Sequence, residues 1–442
     1  MRFSILTYLL SIVLVSVAWG HTGLAKLVQN ACDDSLLFKI VSIELYGNEK
    51  TKAEVILREM KVKVGNCATL EQLEEDRKRI QNLGLFNRVE LEILNTEAGL
   101  ILQIQVTERW YIFPFPILDR NEKDWSKLSY GLGLMHQNFR GRNENLQAQF
   151  WLGYNPGLSF SYSNPWLGGK WQLFTTVTLF AGKIKSKSLE IERFDEHRKS
   201  ISWSLGKKFG YHTYWGLGLA YTRLTASPSM PGQTLSSSGL DQWLTYLMSF
   251  RYDNRDLREY PHKGWDVTLG IQKNGKKGST INYSQYQVDI RKYLPFSQTL
   301  TLATRGSIRL SRGKIPLYSR VFLGYEEQVR GHFHDVFEGE NSVLGGIELR
   351  FPIRKITYYS WDSAPAFSEY YRNLKFGISA GLFVDTGAVW FQQQKFNAKK
   401  LNTGFGLGLH FHVPYIDVLR LEYALDEKLT GQIIWFDTGV AF

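Results

Sequence analysis

Past Ala18 the 442-residue chain has no apolar run approaching the ~20 residues that a membrane-crossing helix needs, so any membrane residence must be built from strands. Cysteine is nearly absent. Cys32 and Cys67 both fall in the N-terminal part, where an oxidising compartment leaves two readings open: a disulfide tying an N-terminal arm to a small domain, or two separate thiols. Cys32 lies too far beyond the apolar start to be a lipoprotein cysteine. The net charge is +11, yet no basic run interleaved with aromatics accompanies it, which argues against a nucleic-acid partner and for a basic lumen or contacts with anionic lipid head groups. No carboxylate or cysteine cluster at ligand spacing joins His332, His334, His410 and His412, so no metal and no other cofactor is expected. Nor is there a Ser-His-acid arrangement for a barrel lipase, and the chain reads as a non-enzyme.

What is present begins with a leader. Arg2 precedes an apolar run from Phe3 to Ala18, and Ala18 and Gly20 have the spacing a signal peptidase accepts. Residues 1–20 therefore read as a signal peptide, with cleavage after Gly20 or after Ala25, and residues 21–37 as an arm. Aromatic residues make up 14% of the chain and glycines number 39, while mean hydropathy is only -0.24. Many aromatics with modest hydropathy fit a membrane barrel, in which polar lumen residues dilute the lipid-facing ones.

Residues 38–108 read as a small α+β domain. Phe38–Tyr46 is strand-like, Gly47-Asn48 makes a turn, and Thr51 precedes a helical stretch through Ala53, Val55, Ile56 and Met60. Thr69 caps a second helix, on which Leu70, Leu73, Ile80 and Leu83 share a face and which Gly84 ends. Two strands follow, Arg88–Leu94 and Leu100–Thr107. The β-α-α-β-β order lets both helices cover one face of a small sheet whose edge can accept an extended chain.

From Arg109 to Phe442 the period becomes two. Trp215, Leu217, Leu219 and Tyr221 alternate with Gly216, Gly218 and Ala220, and Phe405, Leu407, Leu409 and Phe411 alternate with glycines and histidines. Strands of ~10 residues with one apolar face suit an antiparallel transmembrane β-barrel, and the pattern predicts about sixteen of them. Odd strands run outward from the small domain, which makes the segments near 185–197, 224–242 and 311–341 extracellular loops. The loop at 311–341 is long and Gly-punctuated, with Val329-Arg330-Gly331-His332 at its heart, and its aromatics favour folding into the lumen as a plug. A guanidinium buried there needs carboxylate partners. Pro114 and Pro116 remove two donors from one edge of the first strand, and this edge is expected to face the last strand and weaken a lateral seam. Ile433, Trp435 and the terminal Phe442 give the closing strand an aromatic end.

GNEKTKAEVILREM and LGLFNRVELEI resemble a POTRA domain, the periplasmic polypeptide-transport-associated module. VRGH, RYDNRDLREYPHKGW, GGIELRFP and FVDTGAVW are similar to motifs of the BamA/TamA superfamily of outer-membrane assembly and translocation proteins, the bacterial surface antigen family. The resemblance covers residues 38–442 and implies an insertase or translocase in the bacterial outer membrane with its POTRA domain in the periplasm. Its partners would be unfolded or nascent outer-membrane or secreted polypeptides and outer-membrane lipids, with periplasmic accessory proteins as further candidates. It further implies that Arg330 pairs with Glu348 and Asp385, so that Val329, Arg330, Gly331 and His332 lock the loop to the barrel. His332 stands where the family has an aromatic residue, and only one POTRA domain is present. A passive channel or structural barrel of the same ancestry is the alternative.

Overall fold

The structure, a computed structural model, describes residues 38–438 apart from 97–98, 228–229, 326 and 362–367. The expected leader and arm, Cys32, the side chain of Trp435 and the whole of Phe442 lie outside the described residues. The N-terminal domain runs β1 (Phe38–Tyr46), α1 (Ala53–Leu57), β2 (Cys67–Ala68), α2 (Leu70–Gln81), β3 (Phe86–Thr96) and β4 (Gly99–Glu108). Its sheet has the order β2-β1-β4-β3, with β1 parallel and β3 antiparallel to β4. The two-residue β2, too short to carry a sequence signal, pairs with Phe38 and Lys39 and holds Cys67.

Thr69 closes a capping box with Gln72 at the start of α2. Val55, Ile56, Met60, Leu73 and Ile80 are buried against the sheet, each contributing about 1.5–3 kcal/mol. Leu70 does not join them. It occupies the first position of α2, ahead of the point where the helix meets the sheet, and is 62% exposed. The carboxylate of Asp76, fully buried on the same helix, accepts the backbone N–H groups of Lys61 and Val62 at 3.0 Å and so fixes the connection between the helices.

A sixteen-stranded antiparallel sheet follows. Its first half is β5 (Ile112–Arg120), β6 (Leu128–Phe139), β7 (Glu144–Gly153), β8 (Gly157–Leu167), β9 (Leu173–Lys185), β10 (Asp195–Phe209), β11 (Thr213–Ser227) and β12 (Leu240–Asp253). Then come β13 (Gly264–Gly275), β14 (Asn282–Pro295) and β15 (Thr301–Gly313). The long loop interposes a two-stranded ribbon, β16 (Val321–Leu323) with β17 (Phe337–Gly339). The sheet resumes with β18 (Asn341–Tyr359), β19 (Leu374–Trp390), β20 (Asn402–Val413), β21 (Ile416–Asp426) and β22 (Gly431–Thr438). Sixteen strands also agree with the number read from the alternation.

The pleat decides which residues face out. Trp215, Leu217, Leu219 and Tyr221 on β11 and Leu382 and Val384 on β19 are exposed on the outer surface, where lipid covers them, while Glu348, Asp385, His410 and Glu422 point inward and are buried. The N-terminal domain sits against one mouth. Asn138 donates to Thr51 Oγ1 at 2.8 Å, Tyr211 to Met60 O at 2.9 Å, Asn82 to Asp256 O at 2.9 Å and Asn373 to Thr107 Oγ1 at 2.9 Å. Four inter-strand turns at the same end of the barrel thus hold it, and the loops after β9, β11 and β15 lie at the opposite end.

Candidate functional site

The loop between β15 and β18 enters the lumen and is held along its length. Arg305 Nη2 on β15 lies 2.9 Å from Glu327 and 2.7 Å from Asp289, Arg320 pairs with Glu338 at 2.7 Å, and Lys123 donates to Phe333 O at 2.5 Å. Val329, Arg330, Gly331 and His332 at its tip are all buried. Gly331 has φ +101°, and a Cβ there would come within 2.6 Å of Leu425 O, so the backbone approach to β21 admits glycine alone.

Arg330 is 3% exposed, and its guanidinium touches three strands. Nε and Nη2 fork onto Asp385 of β19 at 2.6 and 2.8 Å, and Nη1 donates to Glu348 of β18 at 2.6 Å and to Glu422 of β21 at 2.8 Å. The flat of the guanidinium lies 3.5 Å from the centre of the Phe383 ring. Such a planar, multidentate cation is the group best matched to several carboxylates at once. Two more arginines complete the balance: Arg350 Nε is 2.7 Å from Glu348 and Arg420 Nη1 3.1 Å from Glu422. Three guanidiniums therefore meet three carboxylates in a space closed to water, and removal of any one member leaves a buried charge without compensation.

The sequence reading brought Arg330, Glu348 and Asp385 together but missed Glu422. The signal was there: in Leu419-Arg420-Leu421-Glu422-Tyr423 the charged residues hold the inward phase. It also missed Tyr260, in the turn between β12 and β13, whose hydroxyl lies 2.9 Å from His410 Nδ1 and whose ring is 5.0 Å from Arg350. The expectation that no carboxylate accompanies the histidines fails. Donor atoms of Glu348, His410 and Glu422 lie within 4.8 Å of one another because three strands distant in sequence meet there, an arrangement that linear spacing cannot reveal. Both carboxylates are engaged by arginines.

Pro114 and Pro116 are set by the ladder. Tyr111 O accepts from Gln137 N at 2.7 Å, and the register Ile112↔His136 continues without a break, so the odd residues face β6 and the backbone nitrogens of both prolines face away from it. Among the described residues no ladder joins β5 to β22.

An Omp85 superfamily domain matches residues 138–442, and a POTRA family described as a surface antigen variable number repeat matches residues 38–109. The chain belongs to the Omp85 superfamily. It is 23% identical over 414 residues to an outer membrane protein assembly factor BamA of Neorickettsia risticii, covering 88% of this chain and 52% of that protein. The corresponding values for BamA of Nitratidesulfovibrio vulgaris are 22% over 420 residues, 87% and 48%, so the chain spans about half the length of the curated relatives it matches. The fold is similar to that of BamA from Haemophilus ducreyi lacking POTRA domains 1-3, with a TM-score of 0.55 at 17% identity over 90% of this chain and 83% of that one. It is also similar to CdiB from Escherichia coli, with a TM-score of 0.53 at 11% identity over 92% and 91%. This Omp85 chain is thus an outer-membrane barrel whose POTRA domain lies in the periplasm.

In this Omp85 chain His332 sits beside Arg330 and Gly331 at the tip of the loop. Its Nδ1 lies 2.7 Å from Asp335 and its Nε2 2.8 Å from Glu427 in the β21–β22 turn, with Asp426 adjacent. Burial works against a charged ring, but the hydrogen bonds to Asp335 and Glu427 outweigh it and raise the pKa above its ordinary value of 6.5. The contribution of the imidazolium to loop seating is complete below about pH 6.5 and fades as pH rises through the higher folded value. Urea unfolding in detergent should show stability falling as pH increases across that window, and His332→Phe should flatten the slope. An unchanged slope in the variant would remove His332 from the cause.

Proposed function

We propose that the chain is an outer-membrane insertase or translocase that handles unfolded or nascent polypeptides. An incoming extended segment adds to the outer edge of β3, which faces no further strand among the described residues. It then passes to the edge of β5. The observation that carries this reading is the pair of prolines whose nitrogens face away from β6, toward the side from which β22 would pair. Two missing donors lower the cost of parting the seam, and spanning strands that cannot leave backbone groups unpaired in hydrocarbon find temporary partners there. The loop cluster around Arg330 keeps β18 to β21, the wall that leads up to β22, in register while the seam opens.

Replacing Pro114 and Pro116 together with valine restores two N–H donors, each net hydrogen bond contributing about 0.5–1.5 kcal/mol. Both positions are exposed on the outer face, where valine is at home in a strand. The double variant should unfold at higher temperature yet assemble or export client polypeptide several-fold more slowly in reconstituted vesicles. Unaltered client handling in a thermally stabilised variant would count against a lateral route and favour a passive channel, which conductance measurements would then reveal.

A further inference from the structure

Where the POTRA helices meet the barrel mouth, a partly open cavity of about 160 Å³ is lined by five cationic residues and only two carboxylates. Arg255 and Arg258 close on Asp253 at 2.8 and 3.1 Å, which leaves Arg58, Arg79 and Lys208 to share Glu59 within the cavity. Lys208 Nζ is 3.3 Å from that carboxylate and Arg58 Nε 3.7 Å. Arg79 has further partners in Glu75 and Asp76 on its own helix, and the C-terminal end of α2 adds roughly half a negative charge. Glu75 and Asp76 lie outside the cavity, whose own lining keeps five cations against Glu59 and Asp253. Arg58 Nε is buried without a hydrogen-bond acceptor, and burial holds the pKa of both Arg58 and Arg79 below the ordinary guanidinium value.

Both guanidiniums stack on an aromatic ring. Arg58 lies over the Trp166 ring at 4.7 Å and Arg79 over the Tyr211 ring at 4.8 Å, so the rings occupy the flat faces; Arg79 Nε already donates to Glu59 O at 2.9 Å, and the Nε edge of Arg58 is the one left for a ligand. One carboxylate would be satisfied by a single fork. Cations converging from α1, α2 and β10 suit a tetrahedral anion whose oxygens point in several directions at once. Trp171 and Phe209, both largely exposed at this end of the barrel, mark the level of the membrane interface.

We propose that this cavity binds a phosphate group at the joint between the POTRA domain and the barrel. The phosphate comes either from solution or from the head group of a lipid in the periplasmic leaflet. Bound there, it bridges α1 and α2 to β10 and holds the POTRA domain at a fixed angle beneath the mouth.

The test uses the full chain purified in detergent and titrated calorimetrically with inorganic phosphate and, separately, with a short-chain phosphatidylglycerol. Saturable binding of inorganic phosphate supports the site with a soluble source, and binding of the lipid alone supports it with a lipid source. Arg58→Gln and Lys208→Gln, chosen to keep side-chain volume, should each weaken whichever binding is seen by about tenfold or more, as expected for loss of a charge-assisted hydrogen bond. The unboiled electrophoretic mobility of each variant checks that it is folded, and either variant alone suffices. Absence of saturable binding by both probes, or equal binding in a folded variant and the parent chain, overturns the proposal.

Discussion

Arg330→Ala is expected to destabilise the barrel by about 3–5 kcal/mol, the cost of leaving buried carboxylates without their cation. Asp385 loses both arms of its fork, and Glu348 and Glu422 keep only Arg350 and Arg420. Urea unfolding in detergent, followed by tryptophan fluorescence, should register the loss as a lower midpoint, and the fraction of chain migrating as the folded form on unboiled gels should fall. Arg330→Lys should recover little, because an ammonium cannot fork onto Asp385 while also reaching Glu348 and Glu422. The informative companion is Arg330→Met combined with Asp385→Asn, which leaves Glu348 with Arg350 and Glu422 with Arg420. Neutral side chains of similar size carry no uncompensated charge, so this double variant should regain most of the stability. If client assembly returns with stability, the cluster acts only as scaffold; if the barrel folds and assembly stays low, the contact itself is required. An Arg330→Ala protein as stable as the parent would refute the arrangement altogether.

The strands of this chain were legible because lipid on one side and a wet lumen on the other impose strict alternation, and a one-residue slip would invert every side chain. That is why the number of strands could be read from residue type alone. In the small domain Thr69 marked its helix plainly, whereas Leu70 misled, since helical spacing cannot say where along its length a helix first touches the sheet. The charged cluster was legible only in part. Arg330, Glu348 and Asp385 stand in recognisable motifs, but Glu422 belongs to a strand that no motif singles out, and its meeting with His410 follows from register. Tyr260 shows the same limit. It sits in a turn at the periplasmic end, and only the depth to which that turn reaches into the lumen brings its hydroxyl to His410.

Gly331→Ala should undock the loop without altering any charge. The residue sits at φ +101°, a conformation that costs a side-chain-bearing residue about 1–3 kcal/mol, and the added methyl would press on Leu425 O at 2.6 Å. Nor can the facing wall give way: it is the backbone of β21 together with Gly404 of β20, where a Cβ would itself overlap Arg330 O. Displacing the tip by even part of a methyl radius lengthens bonds of 2.6–2.8 Å from Arg330 to Glu348, Asp385 and Glu422 simultaneously. A cysteine placed at Val329, now 1% exposed, should stay inert to a membrane-impermeant maleimide in the parent and become reactive in the Gly331→Ala background. Because the methyl acts by removing Arg330 from its partners, the two substitutions share one consequence and should not add. Gly331→Ala with Arg330→Ala should be scarcely less stable than Arg330→Ala alone, with a coupling energy approaching the smaller single effect. Strict additivity in that cycle would mean the glycine and the arginine hold the loop independently, and the close backbone approach would then need a different explanation from the placement of the guanidinium.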